Sequence, residues 1–302
     1  MKATRDGFGE QLVLSAKDNE NIIGLSADLG KATKINQFGA VYPERLYEMG
    51  IAENNMIGVA SGLSEYGYKV FLASFASFLT GKYDTIRCSI AYSNVPCIIV
   101  GTHCGMAIGR DGVTQMGLED LSLMRSLPGM VVLNPSTYNQ TKSIVKYLCD
   151  SELKNPHYLR LGRQPVDEYY SEDVEFTPGK GIVVREGRKA VVFSTGCVLP
   201  DVLAATVDLD IAVIDMPTIK PLDKKIIEKY GDKHIFTVED HSIIGGLGSS
   251  VAEVIAEEGL KGKLHRIGVN DIFPESGLPI DLYNKYGLSS NKIKKRILSE
   301  LG

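Results

Sequence analysis

The run Val95-Pro96-Cys97-Ile98-Ile99-Val100-Gly101-Thr102-His103 constrains this chain more than any other stretch. Its hydrophobicity is nearly continuous, so a strand built from it needs cover on both faces. Strands of that kind belong to parallel sheets flanked by helices, whereas a half-wet strand alternates apolar and polar residues. The same grammar recurs along the chain. Residues 22–26, 70–72, 130–134 and 158–160 read as further strands. Segments 54–66, 75–92, one ending at Met124, and 138–149 read as the helices between them. An N-terminal helix over 4–17 offers Phe8, Leu12 and Leu14 to one face, and 42–47 reads as irregular. Strand–helix alternation of this sort specifies an α/β fold.

Residues 164–179 are polar, with two prolines and an acidic run, and read as a linker. A second α/β unit follows. Its strands fall at 190–194, 211–215 and 234–238, with helices after Cys197, Asp223 and Gly245. The expected organisation is two domains, 1–175 and 176–302, which suits a chain of 302 residues.

Composition narrows the function classes. An apolar fraction of 44% with 23% charged residues fits a soluble globular protein with a full core. No apolar run reaches the ~18 residues of a membrane span, and the polar N-terminus lacks a signal-peptide core, so a cytoplasmic location and no membrane partner are expected. Net charge is −4 with both signs interspersed, which argues against nucleic acid as a partner. The five cysteines (Cys88, Cys97, Cys104, Cys149, Cys197) form no C-x-x-C pair. Buried thiols are expected, and no metal-ligand cluster is evident.

Several positions could carry chemistry. Glu53 opens a helix-like pattern, where the dipole favours a carboxylate whether or not it has another task. Phe75 and Phe78 are three apart in Ser74-Phe75-Ala76-Ser77-Phe78, and form either core packing or an aromatic wall for a flat ring. His103 ends the strongest strand, and ligands of open α/β sheets gather at the carboxyl ends of strands. The loop Gly109-Arg110-Asp111-Gly112-Val113-Thr114-Gln115-Met116-Gly117 is long, glycine-rich and charged. Arg160 and Arg163 lie at another strand end, as ligands for a phosphate or carboxylate or as surface ion pairs. The stretch Val238-Glu239-Asp240-His241-Ser242 leads through a polar turn to a glycine-rich helix start. It matches neither a P-loop nor G-x-G-x-x-G, and close packing at a junction is the favoured reading.

The order of these motifs carries a resemblance. Ala3-Thr4-Arg5, Gly24-Leu25-Ser26-Ala27-Asp28-Leu29, Gly50-Ile51-Ala52-Glu53, Phe75-Ala76-Ser77-Phe78, Gly101-Thr102-His103, Asp111-Gly112-Val113-Thr114, Arg125-Ser126-Leu127-Pro128 and Leu161-Gly162-Arg163 together resemble the pyrimidine-binding domain of transketolase. Residues after about 180 resemble that family's C-terminal domain. The Gly-Asp-Gly and Asn motifs of the family's diphosphate-binding domain are not found. The chain therefore resembles the second subunit of a split transketolase.

That resemblance implies a transferase of pentose phosphate metabolism, with thiamine diphosphate as cofactor and Mg2+ or another divalent cation held mainly by a partner subunit. The partner would be an N-terminal transketolase subunit, and self-association across a two-fold axis would give a heterotetramer. Glu53 would hydrogen-bond the aminopyrimidine, Phe75 and Phe78 would line that ring, and Asp28 would lie near the cofactor across the interface. His103 and Asp111 would contact sugar hydroxyls, with His103 and Glu53 as the catalytic pair. Arg5 and Arg163 would hold a substrate phosphate. The expected reaction moves a two-carbon ketol unit from a ketose phosphate to an aldose phosphate.

The chain also departs from the family. Gln115-Met116 stands where His-Gln is usual, Gly81 where an aromatic residue often completes the wall, and Ala52 and Asn54 where Arg and His commonly flank the glutamate. An amide donates hydrogen bonds but shuttles no proton at neutral pH. Gln115, as a substrate-binding position, thus implies an unusual or relaxed donor preference. A 1-deoxyxylulose-5-phosphate synthase-like subunit and a non-catalytic regulatory subunit are the alternatives.

Overall fold

The computed structural model describes residues 1–302, and its core is two parallel-dominated sheets. In the first, β1 (Ile22–Ser26), β2 (Leu46–Glu48), β3 (Lys69–Phe75), β4 (Ile98–Thr102), β5 (Val131–Leu133) and β6 (His157–Arg160) lie in the order β5-β6-β4-β3-β1-β2. Every neighbouring pair among these six is parallel. The second half contributes β7 (Ile182–Arg185), β8 (Ala190–Thr195), β9 (Ile211–Asp215), β10 (Thr218–Lys220), β11 (His234–Ser242) and β12 (Lys263–Val269). Five of these form the second sheet, ordered β12-β11-β8-β9-β7, with β7 antiparallel at its edge. β10 leaves that sheet and pairs antiparallel with β5, adding a seventh strand at the edge of the first.

β4 is buried along its whole length, as its near-continuous apolar run requires. One hydrophobic cluster packs Phe8, Leu12, Phe38 and Leu148 against one face of the first sheet. Another spans both halves, joining Leu121, Met124 and Val132 to Ile219, Leu247 and Val251. No helix is long and apolar enough to cross a membrane.

Several elements differ from the sequence reading. The expected helix over 75–92 is broken. Phe75 is extended and pairs with Thr102 in the ladder, so the helix begins at Ala76 and ends at Thr80. Gly81 and a non-helical Lys82 follow, then a single turn Tyr83–Thr85 and π-helical Ile86–Ala91. In the helix Thr4–Ser15, Phe8 and Leu12 are buried but Leu14 is exposed, because two residues past Leu12 turn it to the far side. The segment expected to be irregular, 42–47, runs into β2 at Leu46, and the strand expected to end at Val238 continues through buried Glu239, Asp240 and His241 to Ser242.

A clamp between the halves fixes the loop after β4. Gly105 N–H donates to Gly117 O at 2.8 Å, closing the loop's base. Gly105 sits at φ 72°, ψ −173°, a region open essentially to glycine alone, and a methyl there would overlap the Asp240 carboxylate. We expect Gly105→Ala to lower unfolding free energy by about 2–3 kcal/mol in a urea titration. A change under about 0.5 kcal/mol would show that the clamp gives way.

Candidate active site

Parallel strands place all their carboxyl ends on one edge, and the sequence-predicted residues collect there. Asp28 follows β1, Glu53 follows β2, Phe75 ends β3, His103 follows β4 and Arg163 follows β6. Arg5 reaches the same edge from the first turn of the helix Thr4–Ser15.

Glu53 is the first residue of the helix Glu53–Glu65 and is buried. Its Oε1 accepts from Ser74 Oγ at 3.2 Å, and no group of the chain donates to Oε2. One residue on, the Phe75 ring stacks on Phe78 with centroids 5.2 Å apart and on His103 at 3.8 Å. Ser77 Oγ, between the two phenylalanines, is buried without a partner.

His103 has a left-handed backbone, φ 59°, which turns its ring back over the strand end. Arg5 Nη1 lies 3.1 Å from Nε2, and Thr102 Oγ1 lies 2.9 Å from Nδ1. A guanidinium only donates, so Nε2 accepts and the proton sits on Nδ1. Nδ1–H then donates to Thr102 Oγ1, which donates to Ser74 O at 3.3 Å. A continuous path of polar contacts therefore runs from Arg5 to the residue that holds Glu53.

Burial, reinforced by the positive charges of Arg5 and Arg163, pushes the His103 pKa down to about 3. The unfolded chain takes that proton near 6.5. As pH falls from 6.5 toward 3, the unfolded state gains a proton the folded state refuses, so this contribution to stability is complete above 6.5 and lost below. In carbon NMR of imidazole-labelled protein, the His103 resonance, assigned by its loss in His103→Gln, should stay flat from pH 8 to 5. A midpoint near 6.5 would contradict the geometry.

Arg163 donates to Asp111 Oδ2 at 2.8 Å, and both side chains are 37% exposed. Gln115 ends the short turn Val113–Gln115 and its side chain makes no hydrogen bond. Asp28 is exposed at φ 58°, its N–H bonded to Glu48, and it touches none of the other predicted residues. Arg160 is neither a ligand arm nor a surface pair. It is buried, 2.8 Å from the Asp120 carboxylate, and spans two backbone carbonyls, Gly117 O and Asp240 O.

Two family models match the chain: transketolase, pyrimidine binding domain, over residues 1–167, and transketolase, C-terminal domain, over 179–293. The chain belongs to the transketolase family. A transketolase C-terminal section from Methanocaldococcus jannaschii is 41% identical, over 99% of this chain and 96% of that protein. The 6-deoxy-6-sulfo-D-fructose transketolase subunit of a Clostridium species is 35% identical, over 96% and 91%. Among solved structures, one described as a split gene transketolase, inactive beta4 tetramer, superposes with a TM-score of 0.91 at 39% identity, over 100% of this chain and 99% of that one.

The transketolase C-terminal half also shapes the site, through residues that sequence reasoning did not single out for it. Asp240 Oδ1 accepts Met106 N–H at 2.9 Å and its Oδ2 accepts Tyr283 O–H at 2.8 Å, which pins the start of the loop bearing Asp111 and Gln115. Its neighbour Glu239 accepts Leu247 N–H and Gly248 N–H at 2.7 and 2.8 Å. The anion site open at that helix start is thus filled by the chain's own carboxylate. Burial raises the Glu239 pKa to about 7. The run Glu239-Asp240 at a strand end was the available signal, but its partners lie far off in sequence.

Proposed function

We propose that this chain is the pyrimidine-binding subunit of a two-chain transketolase that passes a two-carbon ketol unit from a ketose phosphate to an aldose phosphate. The observation that carries the reading is Glu53: a buried carboxylate with one oxygen held by Ser74 and the other unclaimed, beside stacked Phe75 and Phe78. These residues fit thiamine diphosphate. An unclaimed oxygen on a largely buried carboxylate suits a ring nitrogen that shares a proton, and Ser77 Oγ, buried without a partner, is a further polar group beside the aromatic pair. When bound, this cofactor supplies the nucleophilic carbon and electron sink for breaking a carbon–carbon bond beside a carbonyl. A partner subunit would hold its diphosphate and Mg2+ or another divalent cation, with two copies of each subunit in the assembly and Asp28 facing the cofactor across the interface.

In this reading Glu53 holds the proton on the pyrimidine ring, in a poorly solvated pocket where its charge is strongly felt. Phe75 and Phe78 exclude water and fix the ring plane. Arg5 and Arg163 take the tetrahedral oxyanion at the far end of the sugar, a phosphate or, as the name of the Clostridium relative suggests, a sulfonate. An anion that draws Arg5 away frees the Nε2 lone pair of neutral His103 to accept from a sugar hydroxyl. The same anion competes with Asp111 for Arg163 and releases that carboxylate to the sugar. Gln115, with an amide and no side-chain partner, can donate to the donor sugar but moves no proton, which favours an unusual donor.

The test is reconstitution with the diphosphate-binding partner, thiamine diphosphate and Mg2+, followed by two-carbon transfer between sugar phosphates and sugar sulfonates. Lack of cofactor binding by the pair would overturn the reading. Within it, Gln115→His should shift the ratio of kcat/KM between donors by about tenfold or more; an unchanged ratio would remove Gln115 from donor selection.

A further inference from the structure

A cleft of about 610 Å³ opens at the carboxyl end of β12, the edge strand of the second sheet, and shares no residue with the Glu53–His103 group. That volume is within the ~300–1,000 Å³ of small-molecule sites. One wall is the last helix, Ser290–Leu301. Its Ile293 and Ile297 are fully buried, which fixes its rotation, and Lys292, Lys295, Arg296 and Ser299 line the cleft at spacings that share a face. The other wall carries Arg266 and Asn270, with Tyr286 also lining the space.

Four cations line the cleft and no Asp or Glu does, in a chain whose net charge is −4. Most basic residues nearby are neutralised: Lys294 pairs with Asp208, and Lys285 with Glu275. Lys292 and Lys295 have no carboxylate partner. Arg296 pairs with Glu300 at 2.9 Å, but that one carboxylate also serves Lys263 and His265. Arg266 donates through Nη1 to Ile243 O at 2.8 Å, which holds its guanidinium at the strand end. Facing walls of like charge repel each other, and an anion between them relieves that repulsion while gaining charge-assisted hydrogen bonds.

We propose that this cleft binds a small polyanion carrying two or more phosphates. The groups that would recognise it are Lys292, Lys295 and Arg296 on one wall and Arg266 with Asn270 on the other.

The experiment is calorimetric titration of the full chain with inorganic tripolyphosphate at low salt. It is done in an Arg5→Ala, Arg163→Ala background, so that the phosphate-binding residues of the proposed active site do not contribute. We expect one saturable event per chain. Adding Lys292→Gln and Lys295→Gln should raise Kd at least tenfold; both side chains are exposed, so an unchanged melting curve excludes misfolding. Absence of a saturable event, or unchanged affinity in the double variant, would overturn the site. So would displacement of tripolyphosphate by a single-stranded oligonucleotide of arbitrary sequence that binds more tightly, which would mark an extended nucleic-acid surface instead.

Discussion

Glu53→Gln should lower two-carbon transfer by the reconstituted pair about 10³-fold while leaving the unfolding transition of the chain in place. Gln matches Glu in shape and keeps an acceptor for Ser74 Oγ, so the hydrogen bond seen at 3.2 Å survives. What is lost is a group that carries charge and proton at the position facing the ring. General acid–base groups of this kind contribute about 10²–10⁴-fold. Binding of the cofactor to the pair, followed separately by calorimetry, should weaken far less than turnover falls. Near-normal turnover in Glu53→Gln would overturn the assigned role even if the two-chain enzyme were otherwise as described.

Arg160→Met should cost about 3–5 kcal/mol of unfolding free energy, the largest stability effect expected of any single change here. Its guanidinium and the Asp120 carboxylate are both buried, with side-chain exposures of 5% and 0%. Removing the cation leaves the carboxylate with Tyr158 O–H at 2.8 Å as its remaining strong donor, and strips a donor from Gly117 O and Asp240 O. The desolvation already incurred by Asp120 is then uncompensated. Asp120→Asn in the Arg160→Met background removes that stranded charge, so part of the loss should return. Urea titrations of the two variants check both statements. If the single change costs under about 1 kcal/mol, water reaches Asp120 and the pair is not dry.

Much of the site was legible because parallel topology converts chain order into spatial order. Once 22–26, 70–72, 95–103 and 158–160 read as strands of one parallel sheet, the residues just after them are expected at one edge, and His103 and Arg163 lie there. Other features had no local signature. β2 and β10 are three residues each, too short for a hydrophobic period to register. Phe75 carries a helix-like spacing to Phe78, yet its backbone completes a ladder with Thr102, and pairing in the sheet outweighed the helical pattern. Asp240 meets Met106 across 134 positions and Tyr283 across 43. Arg160 showed only its position at a strand end, which suits a ligand arm as well as a buried pair. Its burial follows from the second sheet lying over it, which the residues around it do not encode.

β10 has a consequence for how the chain can be divided. Residues 168–178 separate the two family matches, but the three residues of β10 cross back over that division to cover β5. A gene truncated in this linker would yield a first half whose sheet ends in a bare edge. Its unpaired amide and carbonyl groups would be a template for strands of neighbouring molecules. The half-protein that looks self-sufficient in sequence would therefore be expected to self-associate through β5 more readily than the whole chain.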